Sequence, residues 1–446
     1  MQNDLTTGSV FRNVVSFSLP YLLSYFLQTL YGMADLFIIG QFEGVASTTA
    51  VSIGSQVMHM LTVMLVGLAM GATVSIAQAT GGGDKKRTAS AIGNTVTLFM
   101  LLSLALTALL LALRGGIVSI MSTPEEAVQG TLAYLTVCFI GIPFITAYNI
   151  IASIFRGLGD SKSPLLFVLV ACIVNVFGDL LLVAGLHLDA AGAAIATVAA
   201  QAVSVVCAVV MLLKKKKELQ FKLQKSDFRL NAQCRKFLAI GLPLALQEFL
   251  TQMSFLALCA FVNRLGLEAS SGYGVASKIV NFAMLIPSAL MQSMASFVSQ
   301  NIGAGNKKRA RQSMLTGIGV GLAFGCAVFA LVWCKGDVLC SAFTTEVGVI
   351  ASGFAYLKGF APETIATAVL FSMVGYFNGN DKTVWVMVQG LIQTLLVRLP
   401  MAYFMSIQPN ASLTMIGLAA PTSTLVGVVL NIGFYLYLQR QERKAA

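Results

Sequence analysis

Residues 47–79 read STTAVSIGSQVMHMLTVMLVGLAMGATVSIAQA, thirty-three positions without one Asp, Glu, Lys or Arg. A helix needs about 20 apolar residues to cross the hydrocarbon core of a bilayer, and this run exceeds that length. A strand of a membrane barrel would alternate apolar and polar residues over about 10 positions, whereas this run is continuous. The stretch therefore predicts a transmembrane α-helix.

The whole chain repeats this pattern. Of its 446 residues, 57% are apolar and only 11% are charged, against about 25% charged in an ordinary soluble domain. This composition excludes a soluble enzyme, a nucleic-acid-binding protein and a disordered scaffold. We predict an all-α polytopic membrane protein with twelve transmembrane helices, at about 14–40, 47–79, 89–113, 127–154, 164–186, 190–213, 237–262, 271–300, 310–334, 346–376, 383–407 and 413–438.

An internal repeat divides the chain. AQATGGGDKKRT at 77–88 recurs as SQNIGAGNKKRA at 299–310, an offset of 222 residues. Because each half holds an even number of spans, both halves enter the membrane in the same direction, as in transporters with parallel repeats. We predict an N-terminal lobe at 1–213, a basic linker at 214–236 and a C-terminal lobe at 237–446, related by a pseudo-twofold axis along the membrane normal. Such lobes favour alternating access at a cleft between them.

The basic residues predict the orientation. The net charge is +11, and 23 of the 29 Lys and Arg residues fall at the termini or in alternate loops, including the linker. Only Arg114, Arg264 and Lys335 fall in the loops of the opposite side. The positive-inside rule places both termini and the linker in the cytoplasm, in a bacterial cytoplasmic membrane. The linker lysines face anionic lipid rather than nucleic acid.

Acidic residues inside the spans are the first functional candidates, since a charge at mid-bilayer costs about 2.5–3.5 kcal/mol on insertion scales. Asp35 follows Pro20 by 15 residues, and Asp179 follows Pro164 by the same interval. Both prolines lie near the cytoplasmic ends of their helices. Both carboxylates therefore lie about 22 Å along their helices, at a matched depth.

Two further oxygen-bearing side chains join this pair. Asn175 precedes Asp179 by four residues and shares its helix face, and Thr197 begins the next span at a similar depth. Carboxylate, amide and hydroxyl oxygens are hard ligands that suit Na⁺. Alternatively, two neighbouring carboxylates can hold one proton near neutral pH. Asp35, Asn175, Asp179 and Thr197 therefore predict a site for a coupling cation.

The motifs resemble one family over the whole chain. They are Pro20 followed by Tyr31 and ADLFIIG at 34–40, the loop QATGGGDKKR at 78–87, FRGLGD at 155–160 and NVFGD at 175–179. Their order resembles the multidrug and toxic compound extrusion (MATE) family. The resemblance implies a twelve-helix, two-lobed exporter driven by inward Na⁺ or H⁺, with no other cofactor.

The resemblance also implies roles for individual residues. Asp35, Asn175, Asp179 and Thr197 match the cation-linked cluster of the first lobe, and Tyr31, Tyr134 and Asn149 match residues near it. Glu248 matches the first acid of a pair that some members carry in the second lobe. The second acid of that pair falls by spacing at Thr367, one turn from Glu363.

Other polar or adaptable side chains are candidates for lining the cleft. Gln252 could contact substrate, although hydrogen bonding between helices explains it equally well. Met284 and Met291 offer adaptable thioethers, although packing explains them more simply. Lys358 could pair with Glu363, five residues later, and Arg398 has no assigned role.

The sequence thus predicts a secondary antiporter, not an enzyme, that exports amphipathic, cationic organic compounds or drugs as a monomer. One alternative is a lipid-linked oligosaccharide flippase, which would need a cationic cavity that only Lys358 and Arg398 could supply. Another is an intramembrane enzyme with clustered aspartates that hold Mg²⁺ and diphosphate. NVFGD holds one aspartate, and no second DxxxD follows it.

Overall fold

A computed structural model describes residues 5–215 and 224–445. Throughout these residues the regular structure is helical. The α-helices of the first half are α1 (Val10–Phe42), α2 (Val45–Gly81), α3 (Lys85–Ile120), α4 (Glu125–Ile140), α5 (Ile142–Gly157), α6 (Lys162–Asp179) and α7 (Asp189–Lys215).

The second half continues with α8 (Ala232–Asn263), α9 (Leu267–Ala283), α10 (Leu285–Gly303), α11 (Lys307–Ser341), α12 (Val347–Phe360), α13 (Glu363–Gly379), α14 (Thr383–Leu391), α15 (Leu399–Ser406), α16 (Leu413–Gly417) and α17 (Ala419–Ala445). A 3₁₀ turn, Lys225–Phe228, lies between the halves. Of the predicted linker, residues 216–223 fall outside the described residues.

Ten of these helical stretches are long and apolar enough to cross a membrane, and two bent pairs raise the number to twelve. All twelve coincide with the spans predicted from hydropathy, so the all-α polytopic fold class is confirmed. Two of the predicted spans bend sharply. The fourth bends by 49° between α4 and α5, and the tenth bends by 47° between α12 and α13.

Prolines account for both bends. Pro143 is the second residue of α5, and Pro362 directly precedes α13. A proline ring has no amide hydrogen and clashes with the preceding helical turn, so a helix restarts there in a new direction. Hydropathy alone does not detect these bends, because both parts of each bent span are equally apolar.

The repeated loop ends two helices in the same manner. Gly83 follows α2 with φ +69°, and Gly305 follows α10 with φ +75°. Glycine adopts this left-handed backbone without a Cβ clash, which allows the chain to leave the helix. The Asp84 carboxylate then accepts a hydrogen bond from the Arg87 amide at 2.9 Å and caps the start of α3.

The described residues form two compact units. One consists of Leu19–Ala245 with Ser299–Gly305, and the other of Thr7–Ser18, Leu246–Val298 and Asn306–Ala446. Each unit has its own apolar core, around Val51 and Phe139 in the first and around Leu357 and Ile416 in the second. The predicted lobe boundaries at 213 and 237 stay a prediction.

Within the first unit, glycines allow very close backbone approaches. A Cβ on Gly81 would overlap the carbonyl oxygen of Gln300, and a Cβ on Gly303 would overlap that of Gln78. Small residues at helix crossings let backbones touch, which side chains of any size would prevent. The repeated glycines of the two loops therefore bring the ends of α2 and α10 together. Beside this contact, the Gln300 amide donates to the carbonyl of Gly157 at 3.0 Å.

Candidate functional site

Three helices of the first unit supply the predicted cation site. Asp35 lies on α1, Asn175 and Asp179 lie on α6, and Thr197 lies on α7. Asp35 is 8% exposed, and Asn175 and Asp179 are each 1% exposed. The four-residue spacing of Asn175 and Asp179 directs both side chains into the same interior, as the sequence predicts.

The structure brings the two carboxyl groups together. Asp35 and Asp179 lie within hydrogen-bonding reach of each other, and Asn175 and Thr197 reach Asp35 as well. The Thr197 hydroxyl lies 3.4 Å from Asp35 Oδ2, and the Asn175 amide donates to that hydroxyl at 3.4 Å. These contacts are long for hydrogen bonds, so they position the groups more than they neutralise them.

Four oxygen atoms of this cluster lack a hydrogen-bond donor among the described residues: Asp35 Oδ1, Asn175 Oδ1, and Oδ1 and Oδ2 of Asp179. A buried carboxylate without a donor or a counter-charge is costly. A proton held between the two carboxyl groups would turn one acceptor into a donor. A bound Na⁺ would satisfy several of the oxygens at once. The donor set therefore fits either cation.

The Thr197 hydroxyl has a single proton and two possible acceptors. It can donate to the carbonyl of Ala193, at 3.0 Å within its own helix, or to Asp35 at 3.4 Å. Because it already accepts from the Asn175 amide, it links α6 to α1 only in the second orientation. A cation at the carboxylates would favour the first orientation and leave the hydroxyl oxygen free to coordinate.

The backbone changes directly after Asp179. The next residues, Leu180–Gly185, form a π-helix, which is wider than an α-helix. π-helical turns are rare and occur frequently at functional sites. Asp179 therefore lies at the junction between the α-helix α6 and this π-helix. Hydropathy does not reveal this junction.

Two of the three neighbours implied by the family resemblance adjoin the cluster. Tyr31, one turn before Asp35 on α1, interacts electrostatically with it, and Tyr134 on α4 interacts with both Asp35 and Asp179. The Tyr134 ring packs where a Cβ on Gly54 would be. Asn149 instead donates to the carbonyl of Ile145 at 2.8 Å within α5, and no described residue joins it to the carboxylates.

Sequence reasoning missed other groups around the cluster. Cys138 contacts the Tyr134 hydroxyl, and Cys172 lies near Asp35. Tyr148 is buried beside Tyr31 and reaches Gln28. No motif marks these residues, because a cysteine or tyrosine inside an apolar span looks the same as ordinary packing.

The candidates of the second half occupy different surroundings. Glu248 and Gln252 are half-buried one turn apart on α8, and no described residue pairs with the Glu248 carboxylate. Met284 lies at the break between α9 and α10, where it packs on an apolar core. Met291 is half-buried on α10, and its carbonyl touches Gly375.

The suggested pairing of Lys358 with Glu363 is not found. Lys358 is exposed, and its ammonium lies 4.3 Å from the centre of the Phe354 ring. The helix breaks between these two residues, because α12 ends at Phe360 and α13 begins at Glu363 after a bend of 47°. The electrostatic neighbour of Glu363 is Arg398. Thr367 is near Glu363 as well, so the expected position of a second acid holds a hydroxyl.

Up to twelve helical spans among the described residues, with a buried acid pair inside one of the two units, define a polytopic membrane transporter. The MatE family model matches residues 20–181 and 243–404, so each half of the chain contains one copy of the repeat. The chain belongs to the MATE family, whose members are transporters and not enzymes.

Relatives agree with this assignment. The probable multidrug resistance protein YoeA of Bacillus subtilis is 25% identical over 443 residues, which cover 98% of this chain and 95% of YoeA. YpnP of the same organism, also described as a probable multidrug resistance protein, is 28% identical over 397 residues, 89% of this chain and 88% of YpnP. Such bacterial relatives imply the cytoplasmic (inner) membrane.

Solved structures show the same fold. The structure of an outward-facing multidrug resistance MATE family transporter superimposes with a TM-score of 0.92, covering 100% of this chain and 99% of that chain. The sequence identity of that pair is 19%. At this identity the likeness establishes the fold and leaves the residues of each site to be argued from this chain itself.

Proposed function

We propose that the protein is a secondary antiporter that exports amphipathic, cationic organic compounds in exchange for Na⁺ or H⁺. One observation carries the coupling: Asp35 and Asp179 are buried side by side with four donor-less oxygens in their cluster. Burial of two acids inside a bilayer is expensive, and a transported cation would repay that cost in one state of the cycle.

The substrate class rests on family membership and on Glu248. The relatives carry names that refer to multidrug resistance. In this chain Glu248 is a half-buried carboxylate on α8 with no described partner, and such a group attracts organic cations as they lose hydration. One chain holds both repeats, so we propose that a monomer transports by alternating access of two lobes.

Transport in proteoliposomes tests the function. Purified protein is expected to move a fluorescent amphipathic cation against its gradient when a Na⁺ gradient or a pH gradient is imposed separately. The gradient that supports efflux identifies the coupling ion. If monodisperse protein shows no efflux under either gradient, the protein is not an antiporter of this kind.

The orientation is part of the proposal. Both termini and the linker lie in the cytoplasm, because 23 of the 29 basic residues would then face inward. In a cysteine-free background, Ser226→Cys should resist an impermeant maleimide in intact cells, and Arg264→Cys should react. Both positions are exposed, so burial does not limit either reaction. Labelling of Ser226→Cys from outside would contradict the predicted orientation.

A further inference from the structure

Arg398 is a buried cation inside the eleventh span that nothing above uses. It is 7% exposed and ends the π-helical segment Ile392–Arg398. The first half also contains a π-helical segment, Leu180–Gly185, which directly follows the buried Asp179. In both halves a π-helical segment therefore accompanies a buried charged residue.

The guanidinium keeps most of its hydrogen-bonding capacity. Its Nε donates to Ser423 Oγ at 3.3 Å, and the described residues offer no acceptor to its two terminal amino groups. No carboxylate among them lies within 4.0 Å of it. A guanidinium presents its donors as a planar fork that matches a carboxylate in a two-point contact. The unused edge of Arg398 is therefore suited to an anionic group.

Glu363 compensates the buried charge of Arg398 inside the bilayer. It is 5% exposed and influences Arg398 electrostatically, but its Oε1 accepts from Thr424 at 2.9 Å instead of from Arg398. The adjacent Ser423 and Thr424 hydroxyls thus hold the two charges near each other and out of direct contact. The pair compensates the buried charge, and the fork of Arg398 stays available.

The guanidinium also adjoins the helix face that carries Glu248. Its central carbon lies 5.5 Å from the centre of the Phe255 ring on α8. Glu248, Gln252 and Phe255 are spaced at i, i+4 and i+7, so they share one face of α8. Seven residues of helix separate the Glu248 carboxylate from the level of Arg398 by about 10 Å. An acid and a guanidinium therefore border the same strip of α8.

We propose that Arg398 binds a carboxylate carried by the substrate, while Glu248 binds its cationic end, so that the second half of the chain selects zwitterionic amphipaths. This rests on the proposed export of amphipathic cations and extends it to molecules with an anion about 10 Å from the cation. The competing explanation is that Arg398 serves only as counter-charge to Glu363. A substrate pair that differs in one carboxylate separates the two.

The experiment measures binding of two dyes to detergent-purified protein by fluorescence anisotropy. One is a rhodamine with a free carboxylate on its pendant phenyl ring, and the other is the ester of the same dye, so both carry the cationic xanthene and only the first is a zwitterion. Arg398→Gln alone would strand the Glu363 charge, and therefore the test variant is the double substitution Glu363→Gln with Arg398→Gln. Glu363→Gln alone is its matched control.

The double variant is expected to lose about tenfold more affinity for the acid than for the ester, the loss of one charge-assisted two-point contact. Glu363→Gln alone should keep or strengthen binding of the acid. Glu248→Gln should weaken binding of both dyes. If the double variant fails to fold, Arg398→Lys keeps the charge but removes the fork, and it should still weaken the acid selectively.

An equal change for the two dyes in the double variant, or a loss of acid binding already in Glu363→Gln, would overturn the role of Arg398. So would a wild type that binds the ester and not the acid. A different result would contradict the proposed export function: wild-type protein in proteoliposomes does not transport the ester under either ion gradient. That result does not depend on whether the acid binds. Binding of neither dye would overturn the substrate class in both proposals.

Discussion

Asp179→Asn is expected to reduce gradient-driven efflux to the level of protein-free liposomes, and Asp35→Asn should do the same. Each change keeps the size of the side chain and removes one of the two carboxylates that we propose to hold the coupling cation. Because a buried charge is removed as well, expression and melting temperature should hold or rise. The measurement is dye efflux under the gradient that drives the wild type.

Two further readouts distinguish one shared site from two. The double variant should be little worse than either single variant, since residues that act as a unit show non-additive losses. Na⁺ or protons should raise the melting temperature of the wild type, because a ligand that binds only the folded state at 100 times its Kd adds about 2.7 kcal/mol to the free energy of unfolding. This shift should be absent in both single variants.

Asp189→Asn is the matched control. Asp189 is an exposed carboxylate on α7, the helix of Thr197, and it accepts a hydrogen bond from Ser47 at 2.9 Å. This variant should retain efflux and the ion-dependent melting shift. Retained gradient-driven efflux in Asp179→Asn would remove that residue from the mechanism, and additive losses would indicate two separate sites.

Gly81→Val and Gly303→Val are each expected to abolish most transport while the protein stays folded. Either side chain would overlap a backbone carbonyl of the opposite helix, so the ends of α2 and α10 could no longer meet. Overpacking typically costs 1–3 kcal/mol or more, and about 2.7 kcal/mol shifts a two-state ratio about a hundredfold. Under the alternating access that we propose, these ends would part and rejoin, so the variants should favour the parted state.

Accessibility of a buried neighbour reports this shift. Ala79 is 1% exposed on α2, and a cysteine there should react with maleimide far faster in the valine variants than in the parent. Gly319→Val on α11 is the control, because no atom lies within 4 Å of its virtual Cβ. A wild-type rate of labelling and of efflux in Gly81→Val would show that the close contact is unnecessary for transport. Early aggregation would instead indicate a purely structural role.

The membrane fold could be predicted from the sequence because each span is decided locally. A helix satisfies its own backbone hydrogen bonds, so twenty apolar residues suffice to specify a span without knowledge of its neighbours. The repeat, with its glycines at 81 and 303, was visible because the same residues recur at a fixed interval along the chain. The matched spacing from Pro20 to Asp35 and from Pro164 to Asp179 predicted equal depth.

The rotation of each helix and the partner of each side chain were decided only by tertiary packing. Depth does not say which face of α1 meets α6, and therefore the contact of Asp35 with Asp179 and the exclusion of Asn149 required the structure. Lys358 is the basic residue nearest to Glu363 in sequence, but its ammonium lies over the Phe354 ring. The electrostatic neighbour of Glu363 is Arg398, thirty-five residues away.

The glycines show the same division between sequence and structure. The sequence reveals that Gly81 and Gly303 recur, but only the folded chain shows that each lies against a carbonyl of the other repeat. Hydropathy sums over a single segment, whereas such contacts depend on shape complementarity between segments more than 200 residues apart. The sequence by itself therefore determined the helical spans and their depth, and packing between distant segments decided which polar groups meet.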